Sequence, residues 1–131
     1  MGRSILALLA GFIAEPLLVI AADWVYGRNH PGVFTPDGFV YGTAAVIVLI
    51  YVQIINAVSG YITGSIAPRN PVGHALILGI IGFALCVFVS ARHWHLEPHW
   101  YLLGGVIFAI PSTMLGGYLA QRQPANRPAL T

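Results

Sequence analysis

The chain has 131 residues, of which 57% are hydrophobic and only 8% charged. A soluble domain carries about 25% charged residues, and one this poor in charge would expose large apolar patches. Its net charge of +2 comes from six arginines and no lysine, without a basic helix or aromatic–basic interleaving, which excludes a nucleic-acid-binding reading.

The composition instead predicts a single polytopic membrane domain spanning 1–131. A helix needs about 20 apolar residues to cross a bilayer. The first span reads 4–22, Ser4 to Ala22. Arg3 ahead of it and Ile20-Ala21-Ala22 near its end have the outline of a cleavable signal. Glu15 interrupts the run, which is also long for a signal, so it is read as a retained span. The second span reads 41–67, inside a stretch from Asp37 to Arg69 with no formal charge. The third reads 72–91 and the fourth 100–120, followed by a frayed polar tail over 121–131. Backbone in hydrocarbon must satisfy its own hydrogen bonds, and four segments are too few for a barrel, so all four are expected to be helices. The fold class is therefore all-α, a four-helix transmembrane bundle.

The connections differ in kind. Loop one, about Asp23 to Gly38, holds five turn-forming Gly and Pro residues. Pro68-Arg69-Asn70-Pro71 is a tight turn, with proline stopping one helix and starting the next. Arg92 to His99 is short and rich in histidine. Arg3, Arg69, Arg122 and Arg127 fall on one side and Arg28 and Arg92 on the other, which predicts cytoplasmic termini. Trp24, Tyr26, Tyr41, Trp94 and Trp100 gather at the outer boundary as an aromatic belt. A faint repeat relates residues 7–13 to 75–81 and 59–63 to 116–120. It suggests two tandem hairpins running in the same direction.

Few residues carry chemistry. Glu15 sits mid-span, where a carboxylate is costly and usually faces a bundle interior or cavity. Pro16 follows it and frees a carbonyl near Phe12. Glu15 can thus bind a proton, cation or substrate, with Gln53 and Asn56, three apart on one face of helix two, as polar neighbours. The alternative is a structural Glu15 hydrogen-bonded to Gln53, Asn56 or that carbonyl. Gly60, Gly64, Gly116 and Gly117 belong to small-residue faces that let helices approach closely. His93, His95, Glu97 and His99 form the one metal-like cluster, suited to zinc or copper, though without an established ligand spacing. His74 lies at the opposite membrane face from them, which argues against haem. Cys86 is the sole cysteine, and no nucleophile–base pair or phosphate loop is visible, so neither an enzyme nor a cofactor is expected.

Two resemblances follow from these motifs. Gly-Gly-Tyr-Leu-Ala at 116–120 with its basic tail, and Ala67-Pro68-Arg69-Asn70-Pro71 leading into His74-Ala75-Leu76, resemble small bacterial four-helix inner-membrane proteins without an assigned activity. That implies a multi-pass protein of the bacterial inner membrane. Residues 9–15, Leu-Ala-Gly-Phe-Ile-Ala-Glu, are similar to helix one of the small multidrug resistance transporters. That resemblance implies a dimer with Glu15 as the shared proton and substrate site.

The leading expectation is an accessory or structural subunit packing against other membrane helices, based on dense small-residue faces and little ionisable equipment. The alternative is an oligomeric proton- or cation-coupled carrier using Glu15. The third is an outer-face metal-binding protein. The expected partners are the lipid bilayer and either further copies of the chain or a larger membrane complex. A monomer of this size has little room for a water-filled path, so transport implies assembly.

Overall fold

The computed structural model describes residues 1–123; the rest of the tail read at 121–131, including Arg127, lies outside the described residues. Four helices follow one another: α1 (Gly2–Asn29), α2 (Gly42–Ile66), α3 (Pro71–His93) and α4 (His99–Gln121). All four are long and apolar enough to cross a membrane. The fold is an all-α bundle of two consecutive antiparallel hairpins, α1–α2 and α3–α4.

The largest departure from the sequence reading is the length of α1, which runs seven residues past Ala22. Asp23 reads locally as a loop residue. In the bundle its carboxylate accepts a hydrogen bond from the Tyr51 hydroxyl of α2. A satisfied polar group no longer needs bulk water, so the helix continues to Asn29. Pro16 does not break α1 either, leaving the Phe12 carbonyl without its i+4 amide donor.

The closest packing is between α2 and α4, which are not consecutive and run parallel. Gly60 lies against the Thr113 backbone, and Gly64 against Gly117, Ala120 and Pro71. Gly116 lies against the Ala57 carbonyl and the Tyr61 nitrogen, and Gly117 against Ala75 and Pro71. Contacts this close require residues without a Cβ, and they maximise the dispersion that holds helices together in lipid. Thr63 of α2 is fully buried and donates its hydroxyl to the Ala7 carbonyl of α1 at 3.1 Å. The two hairpins share a direction but not a register. Gly11 meets Ser59 and Thr63, whereas its repeat counterpart Gly79 meets Ile110 and Thr113, nearer the start of α4 than the counterparts Gly116 and Ala120.

The two ends of the bundle are built differently. At the turn end, Asn70 takes a left-handed conformation (φ 48°) and its side chain accepts from the Gly73 amide at 3.0 Å, capping α3 ahead of Pro71. At the loop end, residues 34–40 fold back as a small hairpin with a bridge between Phe34 and Val40. Val40 is buried with Ala45 and Val48 beneath Tyr26, Phe34, Tyr51 and Tyr101. Loop one is thus a folded lid.

Large apolar side chains such as Ile5, Leu9, Ile13, Leu17, Ile20, Phe88 and Ile107 are exposed. In water that surface would drive association; in hydrocarbon it is the lipid-facing shell. α1 is the least enclosed helix, with only Ala7 and Gly11 buried.

Candidate functional site

Above the Gly11–Leu78 contact, a cavity of about 440 Å³ lies between α1 and α3, backed by α2 and α4. Its volume falls within the range of small-ligand pockets, about 300–1,000 Å³. Phe12, Glu15, Pro16 and Val19 line it from α1, and Leu49 and Val52 from α2. Leu78, Gly82, Leu85, Cys86, Val89 and Ser90 line it from α3, and Tyr101, Leu102 and Gly105 from α4. Glu97, from the connection between α3 and α4, lines it at the loop end. Phe12, Pro16, Leu85 and Val89 are exposed, so the opening faces sideways between α1 and α3. The lining reaches no nearer the turn end than Phe12 on α1 and Leu78 on α3, so it is a half-cavity rather than a channel.

Glu15 is half-buried in this apolar wall. Among the described residues its carboxyl has no hydrogen-bond or ion-pair partner. Gln53 and Asn56 do not join it. The Asn56 amide donates to Gln53 Oε1 at 3.2 Å and the Ser112 hydroxyl donates to the same oxygen at 2.9 Å, making a separate α2–α4 cluster. Gln53 Nε2 and Asn56 Oδ1 remain buried without a partner among the described residues.

The metal-like segment is also divided. His93 stands 3.8 Å from Glu97 through Nδ1 and packs edge-on against Phe39. His99 stacks on Trp94 with ring centroids 4.0 Å apart, and His95 is exposed. Among the described residues no group of three His, Cys, Asp or Glu side chains is placed to hold a metal ion. Local sequence groups these residues, but a turn over 94–98 sends their side chains in different directions.

Glu97 is the residue whose place the sequence did not reveal. Its side chain is 10% exposed against 37% for His93, and it shares the cavity with Glu15. Burial pushes its carboxyl above the ordinary value of 4.5, with His93 and the Val40 backbone amide acting in the opposite direction. The Tyr101 hydroxyl lies within electrostatic reach of Glu97, Asp23 and Cys86, and Cys86 within reach of Glu15. Two of the four acidic residues in the chain, Glu15 and Glu97, therefore line one cavity, with Asp23 near its Tyr101 wall. Two glycines, Gly82 and Gly105, leave it empty: a Cβ at either would meet nothing within 4 Å.

The fold defines a small polytopic membrane protein with four transmembrane helices and a laterally open, carboxylate-bearing cavity. No family model matches the chain, and neither a curated protein nor a solved structure matches it.

Proposed function

We propose that the protein is a carrier that binds a small apolar molecule bearing a positive charge, exchanging it against a proton at Glu15. The observation behind this reading is the unpaired Glu15 carboxyl in an apolar cavity that opens sideways toward hydrocarbon. An unpaired carboxylate in such a wall is costly unless it takes up a proton or a cation, and one site that can take either couples the two. Apolar walls of α1 and α3 supply the remaining affinity through burial. The half-cavity requires a moving wall or a second copy to complete a path, which agrees with an oligomeric carrier. The arginine distribution supports cytoplasmic termini, and the resemblance to small bacterial inner-membrane proteins supports that location.

The accessory-subunit reading has its own support in α1, whose long apolar face is largely uncovered, with only Ala7 and Gly11 of the helix buried. A third reading, metal binding at the 93–99 segment, has only the His93–Glu97 pair behind it.

Binding of tetraphenylphosphonium to the protein in lipid nanodiscs, followed by calorimetry, tests the carrier. Saturable binding that releases a proton and disappears in Glu15→Gln, with the fold intact, is the expected result. No binding of any apolar cation, together with a stoichiometric complex with other proteins in native mass spectrometry, replaces the carrier with the accessory subunit.

A further inference from the structure

The cavity holds a second carboxylate, and that carboxylate leads to the surface. Glu97 lines the cavity with its side chain 10% exposed, and His93, 3.8 Å from it, is 37% exposed at the loop end. At the turn end, Gly11, Leu78, Ser59 and Thr63 close the bundle without an ionisable group among them. Ionisable side chains therefore lead from the cavity to the surface at the loop end, and the residues packed around Gly11 toward the turn end offer none.

We propose that Glu97 is the proton port of the cavity, passing protons between Glu15 and the solution at the loop end by way of His93. The proposal rests on Glu15 being the working carboxyl of the site.

The steps balance as simple proton transfers. A protonated Glu15 gives its proton, through water in the cavity, to the Glu97 carboxylate, leaving Glu15 anionic and Glu97 neutral. Glu97 passes the proton to His93, which becomes imidazolium and releases it to bulk water. The reverse sequence reloads Glu15. Every packed element contributes to the surroundings of the port. α1 presents Glu15 and Asp23, α2 presents Tyr51, which donates to Asp23, and α3 presents Cys86, Ser90 and His93. α4 presents Tyr101, within reach of Glu97, Asp23 and Cys86, and the lid supplies the Val40 amide to Glu97. His93 is the one basic side chain in this set, and its exposure places it at the water boundary.

The side of the membrane from which Glu15 is served follows from this geometry and can be measured directly. Dicyclohexylcarbodiimide enters bilayers and modifies carboxyls in their protonated form, and mass spectrometry reads its adduct on Glu15. The full-length protein is placed in vesicles at a single copy or oligomer each. Capture through a tag ahead of Met1, which lies at the turn end of the bundle, then separates the two orientations. After a jump in external pH, Glu15 modification should follow the external pH in vesicles with the 94–98 loop outside and ignore it in the others. Glu97→Gln should slow that response about a hundredfold, the scale of one positioned acid–base group, and Glu97→Asp should recover most of it. An unchanged response in Glu97→Gln overturns the port, as does modification that follows the pH at the turn end, or no modification of Glu15 at any pH. The carrier and the port fail separately. Lost tetraphenylphosphonium binding with intact sided labelling removes the carrier alone, and intact binding with unsided labelling removes the port alone.

Discussion

Gly116→Ala tests whether the α2–α4 crossing holds the bundle together. A methyl at this position would overlap the Ala57 carbonyl and stand 2.6 Å from the Tyr61 nitrogen and 2.8 Å from the Ala57 carbonyl carbon. These are backbone atoms, so no rotamer can relieve the overlap. Restoring an ordinary 3.4 Å contact to the Tyr61 nitrogen alone moves α4 away by about 0.8 Å, and clearing the nearer Ala57 carbonyl oxygen needs more. A gap of 0.5–1 Å forfeits about a quarter to a half of each dispersion contact, and the same retreat opens Gly60–Thr113 and Gly64–Gly117. Overpacking costs about 1–3 kcal/mol, and the lost contacts bring the expected destabilisation to about 2–4 kcal/mol. Gly105→Ala on the same helix is the control, because its new methyl meets nothing within 4 Å. It should be neutral or stabilising by up to about 1 kcal/mol, the helix preference of Ala over Gly. Reversible unfolding in mixed micelles of increasing SDS fraction, followed by circular dichroism, compares the two. Equal midpoints for Gly116→Ala and Gly105→Ala would refute the assignment of the crossing as the main source of stability.

Filling the cavity separates binding from folding: Gly105→Leu and Gly82→Leu should abolish tetraphenylphosphonium binding while leaving the SDS midpoint near that of the parent, because both glycines line the cavity and a Cβ at either meets nothing within 4 Å. Asn70→Ala should lose about 1 kcal/mol for the cap, plus the strain of a left-handed Ala, whereas Asn70→Gly should lose less; the same unfolding assay reads both. Thr63→Val removes the bond to the Ala7 carbonyl and should cost about 0.6–1.5 kcal/mol. Glu97 has a folded-state pKa above 4.5, so its contribution is most favourable when both folded and unfolded chains are protonated. That contribution is lost as pH rises through the ordinary carboxylate value toward the raised one. Thermal unfolding in detergent should therefore show stability falling with pH over that interval in the parent, and a flatter profile in Glu97→Gln.

The spans are legible from sequence because an uncharged run longer than a bilayer crossing admits one physical solution. The tight Pro68–Pro71 turn is legible for a similar reason, since proline and a left-handed Asn leave the chain few options. The end of α1 is not legible. Asp23 looks like a loop residue until Tyr51, 28 positions away, supplies its hydrogen bond. Glu97 is misleading in the opposite sense: its neighbours His93, His95 and His99 suggest a shared ligand, while Glu97 lines the cavity with His93 alone beside it, His99 stacked on Trp94 and His95 exposed. Glu15 stands out as a costly residue in any reading, but its wall of α3 residues is a tertiary fact. Adjacent glycines show the limit most clearly. A Cβ on Gly104 would stand 2.8 Å from Leu49, and one on Gly105 would meet open space, yet nothing in the sequence distinguishes them.

The pairing of α2 with α4 also sets an order of assembly. Helix hairpins that are neighbours in sequence can join as soon as both members reach the bilayer. The glycine face of α2, however, has no matching surface until α4 arrives, and it must lie against lipid while α3 is inserted. Gly60 and Gly64 offer lipid chains a shallow groove that a helix fills better, so α4 displaces lipid rather than water when it docks. The bundle closes in a single late event, and the cavity, which needs α4 for its back wall, comes into being with it. A chain interrupted before α4 would retain the α1–α2 hairpin with Glu15 and would lack the pocket around it.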